Sequence, residues 1–316
     1  MQLGGLHHVT AVTGHAARNV EFYTRVLGLR LVKKTVNQDD VSAYHLFYGD
    51  AVGSPGTEVT FFDWPQSGRH QPGTADISTI ALRVLDRGAL DFWKKRLSDL
   101  QVAASEVHEI DGRVGLTLTD PEGQRLALIA DGDDPGGIPW SESPVPAPMA
   151  IRGIHHVRLT VRDLVPTALM LTEVLGFRQV REIPADGAGS RPVVVFDVGP
   201  GGAGAEVHVE VSPSHQRAGV GIGGVHHVAF RTPNDDEHRA WRERIVGYHV
   251  AISPVIDRYY FRSLYFREPD GILFEIATDG PGFATDEDAA HLGERLSLPP
   301  FLEPRRASIE AALTRI

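Results

Sequence analysis

Short apolar runs typical of strands alternate along the chain with amphipathic stretches typical of helices. In the first 65 residues, GLHHVTAVT predicts a strand, AARNVEFYTRVLG predicts an amphipathic helix closed by a glycine, and LRLVKKT, VSAYHLFYG and TEVTFFD predict three more strands. The same order recurs near residues 77–131, 153–212 and 224–279. Short hairpins within each unit imply mixed or antiparallel sheets with helices on one face. The pattern therefore predicts an α+β protein of four βαβββ modules.

The four modules form two halves related by a duplication. A shift of 148 residues aligns His8 with His156 and Trp93 with Trp241. The same shift aligns a Leu-Gly, a Glu-Val and a Pro-x-Gly motif of the first half with identical motifs in the second. We therefore expect the following segments: a first domain at 1–131 (modules 1 and 2), a Pro/Gly-rich linker at 132–150, a second domain at 151–279 (modules 3 and 4), and a tail at 280–316 with a helix from Pro304 to Ile316.

Composition excludes several classes of function. The net charge of −10 argues against nucleic acid or an anionic membrane as a partner, because both need a basic surface. The absence of cysteine excludes disulfides, thiolate zinc sites and thiol nucleophiles. With no basic leader and no run of about 18 apolar residues, we expect no membrane span and a cytoplasmic protein. The 15 histidines direct attention to metal chemistry.

Three predicted first strands carry a His-His pair followed by Val, at 7–8, 155–156 and 226–227. Side chains alternate along a strand, so one histidine of each pair should face the helices and the other the space that the sheet encloses. A single histidine on an apolar strand is usually a hydrogen-bonded core residue. However, Glu275 lies in the apolar run ILFEIA, where an isolated carboxylate would be costly unless a cation binds it. Histidine pairs and a buried carboxylate together favour a metal site.

Four βαβββ modules with HHV strands resemble the vicinal oxygen chelate superfamily, which includes glyoxalases, bleomycin-resistance proteins and extradiol dioxygenases. The chain is most similar to its four-module dioxygenases that open hydroquinone rings. Those enzymes carry GLHHVT-like and GxHHxAF-like strands and a late DRxYFxSxYFxxPxGxxxE-like hairpin, which reads DRYYFRSLYFREPDGILFE here. The resemblance covers all four modules. It implies two cup-shaped mixed sheets, in which paired modules enclose a divalent metal.

An oxygen-activating ferrous site needs two histidines and one carboxylate on one face, with other positions left open. We expect Fe(II) or Mn(II) to be bound by His227 and Glu275 of module 4 and by one further histidine. Module 2 has Thr79 and Ala127 at the corresponding positions, which makes it a structural support.

The third ligand is His8 or His156, depending on which module faces module 4. Two positions along the strand, His8 is followed by neutral Thr10, whereas His156 is followed by Arg158, whose charge would oppose a metal. This favours His8, as does the resemblance, and leaves His156 as the alternative.

The resemblance also implies a set of residues around the metal that contact the substrate or orient the ligands: His7, Thr10, His226, Arg258 and Tyr265. Among them His226 is a candidate acid–base group, because an ordinary imidazole titrates near neutrality. An alternative for Arg258 is a salt bridge with Asp257. We interpret His155 and His156 as polar core residues, and Glu206 and Glu210 as solvated strand positions.

The predicted function is a metal-dependent dioxygenase that opens hydroquinone-type rings with O2. The alternatives are a catechol extradiol dioxygenase, a glyoxalase-type isomerase or lyase, which needs a second carboxylate on the metal, and a metal-free binding or resistance protein of the same fold. Module 1 offers only Glu58 as that second carboxylate, in a register that the sequence leaves open. The oligomeric state, a homo-oligomer included, is also left open.

Overall fold

The computed structural model describes residues 1–132, 136–185, 191–212 and 216–316, so part of the predicted linker, 133–135, lies outside the described residues. Module 1 comprises β1 (Leu6–Thr13), α1 (Ala16–Val20) continued by a π-helical segment (Glu21–Val26), β2 (Arg30–Val36), β3 (Tyr44–Gly49) and β4 (Glu58–Asp63). Module 2 comprises β5 (Asp76–Val84), α2 (Arg87–Asp99), β6 (His108–Ile110), β7 (Arg113–Thr119) and β8 (Arg125–Ala130).

The second half repeats this order. Module 3 comprises β9 (Ile154–Val161), α3 (Leu164–Leu169) continued by a π-helical segment (Met170–Val174), β10 (Arg178–Ile183), β11 (Val193–Asp197) and β12 (Glu206–Val211). Module 4 comprises β13 (Val225–Thr232), α4 (Asp235–Gly247), β14 (Ile256–Asp257), β15 (Arg262–Arg267) and β16 (Leu273–Thr278). Short 3-10 helices occur at Ala147–Met149, Phe283–Thr285, Ala289–His291 and Glu303–Arg305.

Two eight-stranded mixed sheets make up the fold. The first has the order β14-β15-β16-β13-β1-β4-β3-β2 and unites modules 4 and 1. The second has the order β10-β11-β12-β9-β5-β8-β7-β6 and unites modules 3 and 2. We call the concave face of the first sheet the first cup and that of the second sheet the second cup. The predicted α+β architecture is confirmed, and each sheet takes one module from each half of the repeat.

The helices cover the convex faces through apolar side chains. Trp93 of α2 and Trp241 of α4, the scaffold pair related by the repeat, are both almost completely buried in one large core. Each helix begins at a side-chain cap, since Asp86 accepts a hydrogen bond from Ala89 N and Asn234 accepts one from Glu237 N. No helix in the described part of the chain is long and apolar enough to cross a membrane.

Each His-His pair coincides with a β-bulge. The register of β1 on β13 passes from Leu6–Phe230 to His8–Ala229, which leaves His7 as the extra residue. The registers likewise leave His226 as the extra residue of β13 and His155 as that of β9. The expectation of strict alternation was wrong at these pairs, because a bulge inserts one residue and re-aims its side chain.

The C-terminal tail covers the open edge of β2. Leu296 bridges to Lys34, and Ser297 N donates to Lys34 O. The fully buried ammonium group of Lys33 contacts the carboxylates of Asp286 and Glu287. The tail therefore protects an edge strand that would otherwise expose unpaired backbone groups. Its α-helix, α5 (Arg306–Ala312), is shorter than the predicted one.

Candidate metal centre

Three buried side chains from neighbouring central strands converge in the first cup: His8 of β1, His227 of β13 and Glu275 of β16. The antiparallel pairing of β1 with β13 sets Thr10 opposite His227 and His8 opposite Ala229. The parallel pairing of β13 with β16 then sets Glu275 beside Ala229. The carboxylate thus comes next to both imidazoles through strand register alone.

The spacing of the three donor atoms fits one divalent ion. Glu275 Oε2 lies 2.9 Å from His227 Nε2 and 3.3 Å from His8 Nε2, and the two Nε2 atoms are 3.3 Å apart. Nitrogen and oxygen ligands lie about 2.0–2.2 Å from such an ion, so two ligands at a right angle are roughly 3 Å apart. Neither carboxylate oxygen of Glu275 makes a hydrogen bond of normal geometry, although the side chain is fully buried. A cation would satisfy both oxygens.

The electrostatics favour the metal-binding forms of Glu275 and His227. Burial alone would raise the pKa of Glu275, but His8 and His227 lower it well below its usual range. Burial also lowers the pKa of His227, although Glu275 partly opposes this shift. An ionised carboxylate and an imidazole with a free lone pair are the forms that a metal binds.

The first histidine of each pair contacts the second. His7 Nδ1 lies 2.9 Å from His8 Nδ1, and His226 Nδ1 lies 2.8 Å from His227 Nδ1. Burial lowers the pKa of both His7 and His226 to about 3, so both are neutral. With Nε2 free for the metal, His8 carries its proton on Nδ1 and donates it to His7, which in turn donates from Nε2 to Thr278 O at 3.2 Å. This arrangement orients the ligand imidazole.

His226, the candidate acid–base group, is directed away from the cavity. Its ring lies edge-on against Phe62 and Trp64, with centroids 5.5 Å away in each case, and it is not among the residues that line the cavity. Its closest polar contact is the outer nitrogen of His227.

A cavity of about 30 Å³ opens beside the triad. Aromatic rings make up much of its wall. The lining residues are His8, Thr35, Val36, Asn37, Gln38, His45, Phe47, Phe62, His227, Arg258, Tyr260, Phe261 and Tyr265.

Arg258 and Tyr265 form the polar side of this cavity. Arg258 donates from Nε to the Tyr265 hydroxyl at 3.3 Å and from Nη2 to Asp39 at 2.8 Å. Its carboxylate partner is therefore Asp39, not the neighbouring Asp257. Burial, followed by the charge of Glu275, raises the pKa of Tyr265, so the phenol keeps its proton and can donate it.

Module 1 places a hydroxyl where module 4 places its carboxylate. Thr60 of β4 pairs with Thr10 of β1, as Glu275 pairs with Ala229 in module 4, and the two threonine hydroxyls are 2.8 Å apart. Glu58 pairs with His8 two positions earlier. Burial and Asp50 raise the pKa of Glu58 well above its usual range, so Glu58 is a neutral acid. The position in module 1 that matches Glu275 therefore carries a hydroxyl and not a carboxylate.

His45 is a cavity residue that was not identified from the sequence. It lies on β3, two positions before Phe47, and lines the same cavity as the triad. Burial, with His8 and His227 nearby, lowers its pKa well below the usual range, so the ring is neutral. His45 faces the cavity on the same side of β3 as Phe47, and this orientation can be assigned only when the strand pairing is known.

His156, the alternative ligand, lies in the second cup and not near Glu275. Its ring stacks on His208 with centroids 3.7 Å apart and planes 7° apart. The modules pair as 1 with 4, so pairing of modules 3 and 4, on which His156 depended, is not adopted. Thr79 and Ala127, at the positions of the missing ligands, line the same cavity of about 550 Å³ as His156.

An ion network occupies the second cup. His208 lies 2.8 Å from Asp111 through Nδ1 and 2.9 Å from Glu206 through Nε2. Each ring nitrogen of His208 thus lies within hydrogen-bond distance of a carboxylate. Arg158 also pairs directly with Asp111, and its fixed charge opposes a cation there.

The prediction of solvated glutamates in β12 was wrong. Glu206 is 2% exposed and pairs with Arg113 and Arg181 as well as His208. Burial alone would raise the pKa of Glu206, but His208 and Arg181 lower it below its usual range. Glu210 is half-buried and pairs with Arg158 and Arg191. The partners come from distant strands, so the sequence pattern of β12 does not reveal them.

The fold and the convergent triad define a metal-binding scaffold of repeated βαβββ modules. A family model described as the Glyoxalase/Bleomycin resistance protein/Dioxygenase superfamily matches residues 5–128 and 153–276. The chain belongs to this superfamily, as the sequence predicted.

Individual relatives match over nearly the whole chain. "Putative ring-cleaving dioxygenase MhqA" of Bacillus subtilis (strain 168) is 46% identical over 317 residues, covering 100% of both chains. "Chlorohydroquinone/hydroquinone 1,2-dioxygenase" of Sphingobium indicum is 31% identical and covers 95% of this chain and 92% of its own. A crystal structure of a "putative dioxygenase" from Bacillus subtilis superposes with a TM-score of 0.90 at 36% identity, covering 100% of this chain and 98% of that one.

Proposed function

We propose that this protein is a metal-dependent dioxygenase that opens hydroquinone-type aromatic rings with O2. The observation that carries the proposal is the convergence of His8, His227 and Glu275 within 3.3 Å of one another beside an aromatic-walled cavity. Two histidines and one carboxylate on one face, with open positions, are the ligand set of non-haem iron oxygenases. The names of the full-length relatives support the same reaction class.

His8, His227 and Glu275 would hold Fe(II) or Mn(II). When bound, the metal supplies electron transfer and brings O2 next to one oxygen of the substrate, which replaces an encounter in solution by proximity. His7 and His226 orient the two ligand imidazoles through their Nδ1 contacts. The donor set has room for further ligands on the cavity side, where the substrate enters.

Arg258 and Tyr265 act on the oxygen of the substrate nearest the metal. The guanidinium of Arg258 favours a phenolate at that position, and a preorganised charge in a water-poor site stabilises an anion more strongly than it would in water. Tyr265 keeps its proton and donates a hydrogen bond to the same oxygen. Phe47, Phe62 and Phe261 stack on the ring and exclude water.

Each alternative function lacks a feature that it requires. A glyoxalase-type reaction needs a second carboxylate on the metal, yet Thr60 stands at the matching position and Glu58 is neutral. A metal-free binding protein gives no reason for a fully buried carboxylate converging with two histidine nitrogens beside the cavity. A catechol dioxygenase with modules 3 and 4 paired would need His156, which lies in the other cup. The cytoplasmic location and a homo-oligomeric state stay predictions.

The test is anaerobic reconstitution with Fe(II), Mn(II) or Zn(II), followed by measurement of oxygen uptake with hydroquinone, chlorohydroquinone and catechol. We expect uptake of one O2 per ring opened with the hydroquinones when Fe(II) or Mn(II) is bound, and none with Zn(II), which has no redox chemistry. Uptake with catechol alone would contradict the substrate class. No uptake with any ring would contradict the enzyme class.

A further inference from the structure

The Nδ1 atom of His45, in the wall of the first cavity, has no hydrogen-bond partner among the described residues. We propose that His45 binds the substrate hydroxyl that is not bound to the metal, and so selects hydroquinones over phenols that lack this group. The inference rests on the proposed function and deepens it, since it assigns a specificity residue to the same site.

His45 is set in the wall by its strand. It lies in the middle of β3, where the pairing with β4 sets it opposite Phe62 and sets Phe47 opposite Thr60. Residues two apart in a strand face the same side, so His45 and Phe47 both face the cup. In the sheet order, β3 lies on the module 1 side of the triad strands and β15, with Tyr265, on the module 4 side. His45 and Tyr265 thus flank the triad.

The ring of His45 is held in one orientation. Its Nε2 atom lies 3.0 Å from the Thr60 hydroxyl, which lies 2.8 Å from the Thr10 hydroxyl. The ring centroid is 3.9 Å from that of Phe47 and 4.5 Å from that of Phe62. These contacts engage Nε2 and pack the ring against two phenylalanines, but they do not involve Nδ1.

The Nδ1 atom has no hydrogen-bond partner among the described residues, yet it is not one of the fully buried polar atoms. It therefore keeps accessible surface, and His45 lines the cavity. A polar atom at an aromatic wall loses free energy if a ligand covers it without a hydrogen bond. A ligand with a hydroxyl at this place avoids that loss.

Other polar side chains of the lining have partners of their own. Asn37 accepts from Asp39 N, and Gln38 donates to Arg258 O at 2.8 Å. The Tyr260 hydroxyl donates to Asp286 at 2.9 Å. The remaining ones are occupied or out of reach: Arg258 and Tyr265 contact each other on the opposite side, and the Thr35 hydroxyl is fully buried.

A hydroquinone fits this arrangement because its hydroxyls lie at opposite ends of the ring. When one oxygen lies at the metal beside Tyr265, the other is directed away from the metal, where His45 in the cavity wall would bind it. A neutral imidazole can serve this hydroxyl in either tautomer, since Nδ1 donates when Thr60 donates to Nε2 and accepts in the reverse case. Phenol, with a single hydroxyl, leaves Nδ1 covered and unpaired.

The test compares anaerobic binding of hydroquinone and phenol to the metal-loaded protein by calorimetry. We expect the wild type to bind hydroquinone roughly tenfold more tightly than phenol, the effect of one hydrogen bond. His45→Phe keeps the ring contacts with Phe47 and Phe62 but has no nitrogen, and its binding ratio should fall towards unity. Metal content and melting temperature are measured for each variant.

Two polar variants make the test specific to Nδ1. His45→Asn keeps a polar group near the Nδ1 position and should retain most of the preference for hydroquinone. His45→Gln keeps one near Nε2, preserves the Thr60 contact and should lose the preference. An unchanged ratio in His45→Phe, or equal ratios in the Asn and Gln variants, would overturn the assignment while leaving the dioxygenase function intact. A wild type that binds neither compound would overturn the proposed function, and this inference with it.

Discussion

His7 and His8, neighbours in β1, contact each other through their Nδ1 atoms at 2.9 Å. Adjacent strand residues normally point to opposite faces, and the β-bulge at His7 is what brings the two rings together. The same relationship joins His226 to His227 in the first cup and His155 to His156 in the second. In the first cup, each pair of neighbouring histidines therefore consists of a candidate metal ligand and the residue that orients its ring.

This relationship predicts that the first histidine sets metal affinity. His226→Gln removes the acceptor at Nδ1, so His227 loses the hydrogen bond that fixes its tautomer, and we expect metal affinity to fall about 10- to 100-fold. His226→Asn keeps an acceptor near Nδ1 and should lose less. Competition with a chelator measures both. Unchanged affinity with turnover per bound metal lowered about 100-fold or more would instead support the acid–base role inferred from the sequence.

Substitution of the ligands themselves separates the two cups. His8→Ala and His227→Ala should each abolish metal binding, because two remaining donors hold a divalent ion poorly. His156→Ala is the matched control, since it removes the repeat-related histidine from the second cup, and it should keep metal and turnover. Protein purified without chelator should contain close to one metal per chain. Two metals per chain, one of them lost in His156→Ala, would contradict our interpretation of the second cup as an ion network.

The repeat made the modules and two of the three triad residues predictable from the sequence. Modules 2 and 4 both have a tryptophan in the helix, but only module 4 has His227 and Glu275. This contrast distinguishes the residues of the site from those that only support the fold. The choice of His8 over His156 rested on the charge of Arg158. The structure has Arg158 beside Asp111 in the other cup, so the argument from charge selected the histidine that lies in the triad.

Other features depend on contacts between distant strands. The bulges shift the register by one residue, and no local signal in GLHHVT distinguishes a bulged strand from a regular one. Glu206 is buried with an ion-pair partner, Arg113, that comes from module 2. His45 Nδ1 lacks a partner in the described part of the chain because Thr60, on a neighbouring strand, contacts the other ring nitrogen. Patterns within one strand describe which face is apolar, but they do not identify the partner across the sheet.

Buried neutral histidines should make the protein acid-sensitive. Burial lowers the pKa of His155 to about 3, whereas an imidazole in the unfolded chain keeps a pKa near 6.5. The unfolded state therefore binds a proton that the folded state does not, and stability falls as pH drops from about 6.5 towards 3. One such group contributes a slope of roughly 1.4 kcal/mol per pH unit in that window.

His155→Asn tests this slope, because it keeps a polar group near Nδ1 to contact His156 and removes the titrating ring. Urea unfolding followed at pH 4.5 to 8 should show a smaller loss of stability on acidification in the variant than in the wild type. Above about pH 7.5 the His155 ring is neutral in both the folded and the unfolded state. The stability curves of the wild type and the variant should therefore run parallel there, which serves as an internal control. Curves that are parallel over the whole range would contradict the assigned burial of a neutral His155.

The last prediction concerns the tail and the first cup. Lys33 of β2 is fully buried with its ammonium group 2.7 Å from Asp286 and in contact with Glu287, while its neighbour Lys34 extends to Glu294 O from a half-exposed position. Lys33→Met leaves a buried carboxylate without its cation, a change that typically costs about 3–5 kcal/mol. Lys34→Met is the matched control and should cost less than about 1 kcal/mol, as exposed contacts of this kind do.

Unfolding measurements give the size of the effect, and limited proteolysis shows where it acts. Tyr260 lines the cavity and donates to Asp286, so loss of the Lys33 contacts should also loosen this part of the wall. We therefore expect the tail of Lys33→Met to be cleaved under conditions where the wild type and Lys34→Met are resistant, with a weakened affinity for hydroquinone in the same variant. Equal stability and equal cleavage of the two methionine variants would show that the buried lysine does not hold the tail on the sheet.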